Sequence, residues 1–190
     1  LGQAVLCAEP FVNGHRFVVA LGDTILGRHS SSGIVNRLVE VFEGAGGDVK
    51  GVIAFDEVLP KDVSRFGIAV VGCSDGDCFE LVDLVEKPRE SERLSCLAVA
   101  ARYVFAPDIF DYLHKTKPDA NGDIQLTDAI HLLLQDGKRV IGVRLPPSEF
   151  RYDIGDFESY YKAFIDFAIN DPIRGNEIKE YLKNELNRNK

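Results

Sequence analysis

The chain has 190 residues, 45% of them hydrophobic and 27% charged. These globular proportions exclude a disordered tail, a collagen-like repeat and a disulfide miniprotein. Lys and Arg number 22 against 30 Asp and Glu, a net charge of −8. That balance argues against wrapping nucleic acid or docking on an anionic membrane, and leaves open a phosphorylated substrate whose charge a metal ion or a local Lys offsets.

In chain order, the continuous apolar run Phe17–Leu21 predicts a buried strand that stops at Gly22-Asp23. Ser30, Ser31 and Ser32 are N-cap candidates for a helix over 33–43 with the stripe Ile34, Leu38, Val41, Phe42. Gly44-Ala45-Gly46-Gly47 follows a helix and lacks the G-x-G-x-x-G spacing, so it reads as a C-cap and turn. Strands are predicted over Val49–Phe55, Gly67–Val71, Phe79–Val85 and Leu97–Phe105, with a short helical turn over Pro60–Phe66 and a hairpin turn at Ser74–Asp77. Helices near 107–115 and 124–135 follow, the second with Asp123 as cap and Gly137 as stop, and then a strand over Val140–Leu145. Asp156 caps a helix whose Phe157, Tyr160, Tyr161 and Phe164 read as a core stripe, and a mixed-charge helix closes the chain. Interleaved strands and helices predict a three-layer α/β domain, a mixed sheet flanked by helices, over residues 1–190 with no internal linker.

Cys7, Cys73, Cys78 and Cys96 contain no C-x-x-C pair and are too few for a disulfide framework, so reduced thiols and a cytoplasmic setting are expected. No apolar run approaches the ~20 residues of a membrane span, and no signal-peptide pattern opens the chain. The first residue is Leu and there is no Met, so the sequence is expected to begin within a longer protein.

Three places carry candidate chemistry. In open α/β sheets ligands bind beyond the carboxyl ends of strands, where Gly22 leaves room for substrate and Asp23 offers a carboxylate to a hard cation such as Mg²⁺. Taken alone, a turn or capping Asp is the commoner role. At the end of the next candidate strand, Glu86 could accept hydrogen bonds from sugar hydroxyls and Lys87 could meet a phosphate. Neighbours in an extended chain face opposite ways, so both reach one ligand only if it lies along the strand or if the chain bends before Pro88. An exposed ion pair is the competing reading. Asp153, in a loop with Gly155, could complete a cation site with Asp23, while Asp156 is assigned to capping. His15, His29, His114 and His131 show no metal-ligand spacing and no evident Asp partner, and receive no role.

Several segments together resemble the bacterial UTP–glucose-1-phosphate uridylyltransferases, of the sugar-nucleotide pyrophosphorylase superfamily. They are Leu1–Ala8, Leu21-Gly22-Asp23, Arg65–Ile68, Val85-Glu86-Lys87-Pro88, Ala101–Val104, Asp123–Ile130 and Tyr152–Gly155, in the family's order over almost the whole chain. The resemblance implies a Rossmann-like nucleotidyltransferase fold and Mg²⁺-dependent transfer of UMP from UTP to glucose 1-phosphate. It implies Asp23 and Asp153 as Mg²⁺ ligands, Gly67 packed against glucose, Glu86 on its hydroxyls and Lys87 on its phosphate. Gly2 and Gln3 would fall in a loop against the uracil. The family's G-x-G-T-R phosphate loop is absent from these residues, so the N-terminal strand or strands of the fold are expected to be missing. The chain is expected to be the C-terminal two-thirds of such an enzyme, with weak UTP binding, little turnover alone, and an exposed sheet edge favouring a homo-oligomer. Cys96, Ala101 and Phe66 depart from a common Asn, Gly and Tyr of the family. The alternatives are a non-catalytic nucleotide-sugar-binding module and a relative using another nucleotide or sugar, such as dTTP with glucose 1-phosphate.

Overall fold

The structure, a computed structural model, describes residues 1–27, 32–89 and 95–188. The chain divides into two compact units, Leu1–Leu21 with Gly33–Pro146, and Gly22–Ser32 with Pro147–Lys190.

The first unit is built on a six-stranded mixed sheet. Its strands are β1 (Phe17–Ala20), β3 (Val49–Glu57), β4 (Gly67–Asp75), β5 (Cys78–Glu86), β6 (Leu97–Phe105) and β7 (Arg139–Arg144), in the spatial order β1-β6-β3-β7-β5-β4. β3 and β7 run parallel and the other neighbours antiparallel. The helices are α1 (Gly2–Leu6), α2 (Glu9–Val12), α3 (Ile34–Gly44), α4 (Ile109–Lys115) and α5 (Leu126–Gln135), with a 3₁₀ turn at Pro60–Arg65. β3 is apolar on both faces, as a strand covered on both sides must be. Its Ile53 and Phe55 join the main core with Val5 of α1, Leu113 of α4 and Ile130 of α5. α3, with Ile34, Leu38 and Phe42 buried, packs on β3 and β6. This is the expected mixed sheet flanked by helices.

Two local expectations fail here. β1 is not a buried strand: it pairs only with β6, so an edge position leaves its side chains alternately half-buried and exposed, with Val18 43% exposed. Ser30 and Ser31 lie outside the described residues, and the N-cap of α3 is Gly33, while the Ser32 hydroxyl donates to Glu149 within the second unit.

The second unit contains β2 (Thr24–Leu26), β8 (Arg151–Asp153), α6 (Phe157–Asn170) and α7 (Gly175–Arg188). β2 and β8 form an antiparallel ribbon with Thr24 opposite Asp153, Ile25 opposite Tyr152 and Leu26 opposite Arg151. Asp153 therefore ends a strand; the expected loop begins one residue later. Asp156 caps α6 as expected, its carboxylate accepting the Ser159 N–H at 2.8 Å in a capping box. The aromatic stripe of α6 is not core: Phe157, Tyr160, Tyr161 and Phe164 are exposed. The helix is held instead along a neighbouring strip, where Ala163 is buried, Phe167 meets the Tyr152 ring at 5.3 Å and Asp166 accepts the Tyr152 hydroxyl at 3.2 Å. Aromatic residues at helical spacing gave the stripe its apolar reading, but the ribbon is too narrow to cover it.

Candidate active site

The β2–β8 ribbon makes Asp23 and Asp153 neighbours. Asp23 lies in the turn before β2, and its carbonyl accepts the Ile154 N–H at 2.8 Å, continuing the ladder one step past Thr24–Asp153. Strict strand alternation would send the two carboxylates to opposite faces, but Asp23 is in a turn. Its Oδ1 lies 3.5 Å from the Thr24 hydroxyl, and Thr24 shares its face with Asp153 across the ladder. The Asp153 Oδ1 accepts the Gly155 N–H at 3.1 Å, and a Cβ at Gly155 would stand 3.2 Å from that oxygen. Both carboxylates are exposed and neither forms an ion pair with a described Lys, Arg or His. Among the described residues no three Asp, Glu, His or Cys groups cluster as a metal site. Two acidic residues at neighbouring ladder positions, with no basic partner among the described residues, are a donor type that suits a Mg²⁺-type ion, which takes one or two carboxylates and fills its other positions with water and phosphate oxygens.

In the first unit, Gly67 and Glu86 stand opposite each other in the β4–β5 ladder. A one-residue bulge of β5 near Val82-Asp83 resets the alternation, so that Phe79, Leu81 and Leu84 all join the core shared with α5 and Glu86 emerges on that face. Lys87 then turns into the left-handed region, φ +44°, while its N–H still reaches the Phe66 carbonyl at 3.0 Å. This bend brings the two side chains to the same side: the Lys87 Nζ comes to 4.0 Å from the Glu86 Oε1. The other carboxylate oxygen, Oε2, accepts the hydroxyl proton of Thr127 at 2.8 Å. A Cβ at Gly67 would approach Oε2 to 3.3 Å, so glycine there leaves the carboxylate its place.

The segment around Thr127 does several jobs. The Ile124 carbonyl accepts the Gly2 N–H at 2.8 Å, and a Cβ on Gly2 would meet that oxygen at 2.7 Å. Gly2 thus begins α1 and is buried against the polypeptide, not set in a loop, whereas Gln3 is exposed on α1. Gln125, not Asp123, is the N-cap of α5. Its amide donates to Asp119 at 2.8 Å and, with the Asp123 and Asn121 N–H groups, holds the Asp119 carboxyl below its usual range. A Cβ at Gly22 would touch no described atom, so chain packing does not require glycine there. Two of the four histidines have acidic partners: His131 meets Asp83 at the β5 bulge and His114 meets Glu9, while His15 meets the Val12 carbonyl and His29 lies outside the described residues. Thr127 is the residue missed by sequence reasoning. Its position at the start of a helix whose Leu126, Ala129, Ile130 and Leu133 face the core was the available signal.

A six-stranded mixed sheet flanked by helices defines the α/β class. A family model described as Nucleotidyl transferase matches residues 1–169, and the chain belongs to that family, whose members generally use a divalent metal. The chain is 38% identical over 188 residues to the UTP–glucose-1-phosphate uridylyltransferase of Bacillus subtilis (strain 168), covering 99% of this chain and 61% of that relative. Among solved structures, the UTP-bound UGPase from Acinetobacter baumannii is similar with a TM-score of 0.82 at 30% identity, over 95% of this chain and 60% of that one. A UDP-glucose pyrophosphorylase complexed with UDP-glucose is similar with a TM-score of 0.77 at 32% identity, over 86% of this chain and 60% of that one. The chain therefore spans about 61% of the length of its curated relative.

Proposed function

We propose that the chain serves uridylyl transfer between UTP and glucose 1-phosphate, giving UDP-glucose and pyrophosphate, as part of such an enzyme. The observation that carries this is the convergence of Glu86 and Lys87 opposite Gly67, in a chain similar to enzymes named for this reaction. In the reaction an oxygen of the sugar phosphate attacks the α-phosphorus of UTP. The bond from that phosphorus to the bridging oxygen breaks, and pyrophosphate leaves with the electron pair. No protein nucleophile is needed, so positioning and charge neutralisation supply the catalysis.

Lys87 places a compact positive charge on the sugar phosphate. Glu86 accepts hydrogen bonds from sugar hydroxyls, and Gly67 lets the ring approach the backbone. Gln3, exposed on α1, and Gly2 beside it belong to the uracil side, and Gly22 gives substrate room at the start of the second unit. Asp23 and Asp153 would hold Mg²⁺, which when bound supplies neutralisation of phosphate charge. A cytoplasmic setting goes with this reading, the four cysteines being free thiols and no described helix being long and apolar enough to cross a membrane. So does a homo-oligomer, supported by the half-exposed edge strand β1 and the exposed aromatic face of α6; light scattering should give a mass above one chain, and a monomer contradicts that part.

Calorimetry with glucose 1-phosphate tests the core of the reading. Saturable binding is expected, weakened at least about tenfold by Lys87→Ala; binding that this substitution leaves unchanged contradicts it. In the longer enzyme of which this chain is a part, Asp23→Ala should lower the rate of pyrophosphate release from UTP and glucose 1-phosphate with Mg²⁺ by about 10²–10³. Tight UDP-glucose binding with no turnover marks a non-catalytic module, and a preference for dTTP marks a different nucleotide.

A further inference from the structure

We infer that Thr127 is the positioning residue that sets the Glu86 carboxylate for sugar recognition. The inference rests on the proposal that Glu86 binds a sugar hydroxyl, and deepens it. A glutamate at a strand end has three side-chain torsions to fix, and an unfixed carboxylate must lose that freedom each time a ligand binds. Here the fixing is done from α5. Thr127 has one hydroxyl proton, and it goes to the Glu86 Oε2 at 2.8 Å. That leaves Oε1 as the oxygen on the Lys87 side, 4.0 Å from Nζ.

Two further features make the arrangement specific. The Gly67 position lies opposite Glu86, where a Cβ would come within 3.3 Å of Oε2 and 3.7 Å of the Thr127 hydroxyl, so glycine leaves the bonded pair uncrowded. One helical turn on from Thr127, His131 meets Asp83 of the same strand β5. The helix is thus tied to the strand at two successive turns, and the first tie ends on the carboxylate assigned to the sugar. Thr127 acts on the sugar through Glu86: its hydroxyl bond goes to the carboxylate and not to Lys87.

Calorimetry on the whole chain tests this, with glucose 1-phosphate and inorganic phosphate as separate probes for wild type, Thr127→Val, Thr127→Ser and Glu86→Gln. The valine variant keeps the shape and loses the donor. It should weaken glucose 1-phosphate about tenfold while leaving phosphate within about twofold, and the serine variant should restore binding to within about threefold. Sugar-phosphate affinity unchanged in Thr127→Val, with Glu86→Gln weakened, overturns the positioning role and leaves the functional proposal standing. Equal losses for both probes, or no rescue by serine, also overturn it, since they mark a merely structural threonine. A wild-type chain that does not bind glucose 1-phosphate overturns the proposal on which the inference rests.

Discussion

The two units are stabilised in different ways. In the first, side chains from a six-stranded sheet and its helices interlock around Phe55, Phe79, Phe105, Leu113 and Ile130, all 2% exposed or less. In the second, Leu26 and Ala163 are the buried hydrophobic residues among those described, and a ribbon of two three-residue strands, a capping box and Tyr–Phe contacts take the place of a core. Yet the second unit carries the two carboxylates assigned to the metal. A site built from register and turn geometry needs little buried surface, whereas the placement of Glu86 depends on a bulge, a helix and the packing behind them.

The largest effects should expose that difference. Phe105 is fully buried and meets Phe17 and Tyr103 at ring-centroid distances of 6.2 and 5.6 Å. Phe105→Ala should cost about 3–5 kcal/mol. Phe164, 62% exposed on α6, should change stability by no more than about 0.5 kcal/mol when replaced by Ala. Chemical denaturation of both variants checks the pair, and equal losses would mean that the α6 face is covered in solution. Next comes a steric test within the first unit. Gly142 of β7 lies opposite Phe79, and a Cβ there would stand 2.1 Å from the ring. Gly142→Ala should destabilise by about 1–3 kcal/mol, seen as a lowered Tm.

A smaller, stabilising change is expected at Ala101. It occupies the left-handed region, φ +57°, beside an irregularity in the β3–β6 ladder. Ala101→Gly should raise stability by about 1 kcal/mol by relieving that strain, measured by denaturant midpoint. The smallest effect belongs to Asp119. Its carboxyl is held below the ordinary value of 3.8, first by Gln125 and then by backbone N–H groups. A depressed acid contributes stability above its unfolded pKa and loses it as pH falls through the folded one. The Tm deficit of Asp119→Asn should therefore be present at pH 7 and shrink below about pH 4.

The same contrast explains what could be read from the sequence. β6 is found at its predicted bounds, Leu97–Phe105, because a long apolar run buried on both faces has few other uses. β2 and β8 have three residues each and pair across most of the chain, so no local period marks them. The division into two units falls at Leu21-Gly22, Ser32-Gly33 and Pro146-Pro147, where Gly, Ser and Pro are concentrated, but runs this short read equally well as ordinary turns and caps. Asp23, Glu86, Lys87 and Asp153 were nameable from strand-end chemistry and family resemblance. The bend at Lys87 and the Thr127 bond were not, since each depends on a backbone angle or a partner forty positions away.

The most direct test asks whether Asp23 and Asp153 together hold one divalent cation. Mn²⁺ can be titrated into the chain with UDP-glucose present and followed by electron paramagnetic resonance. One Mn²⁺ site that Mg²⁺ displaces is expected, lost in both Asp23→Asn and Asp153→Asn and kept in Asp156→Asn, which alters only the neighbouring helix cap. Cation binding that survives either of the first two substitutions unchanged would contradict the assignment.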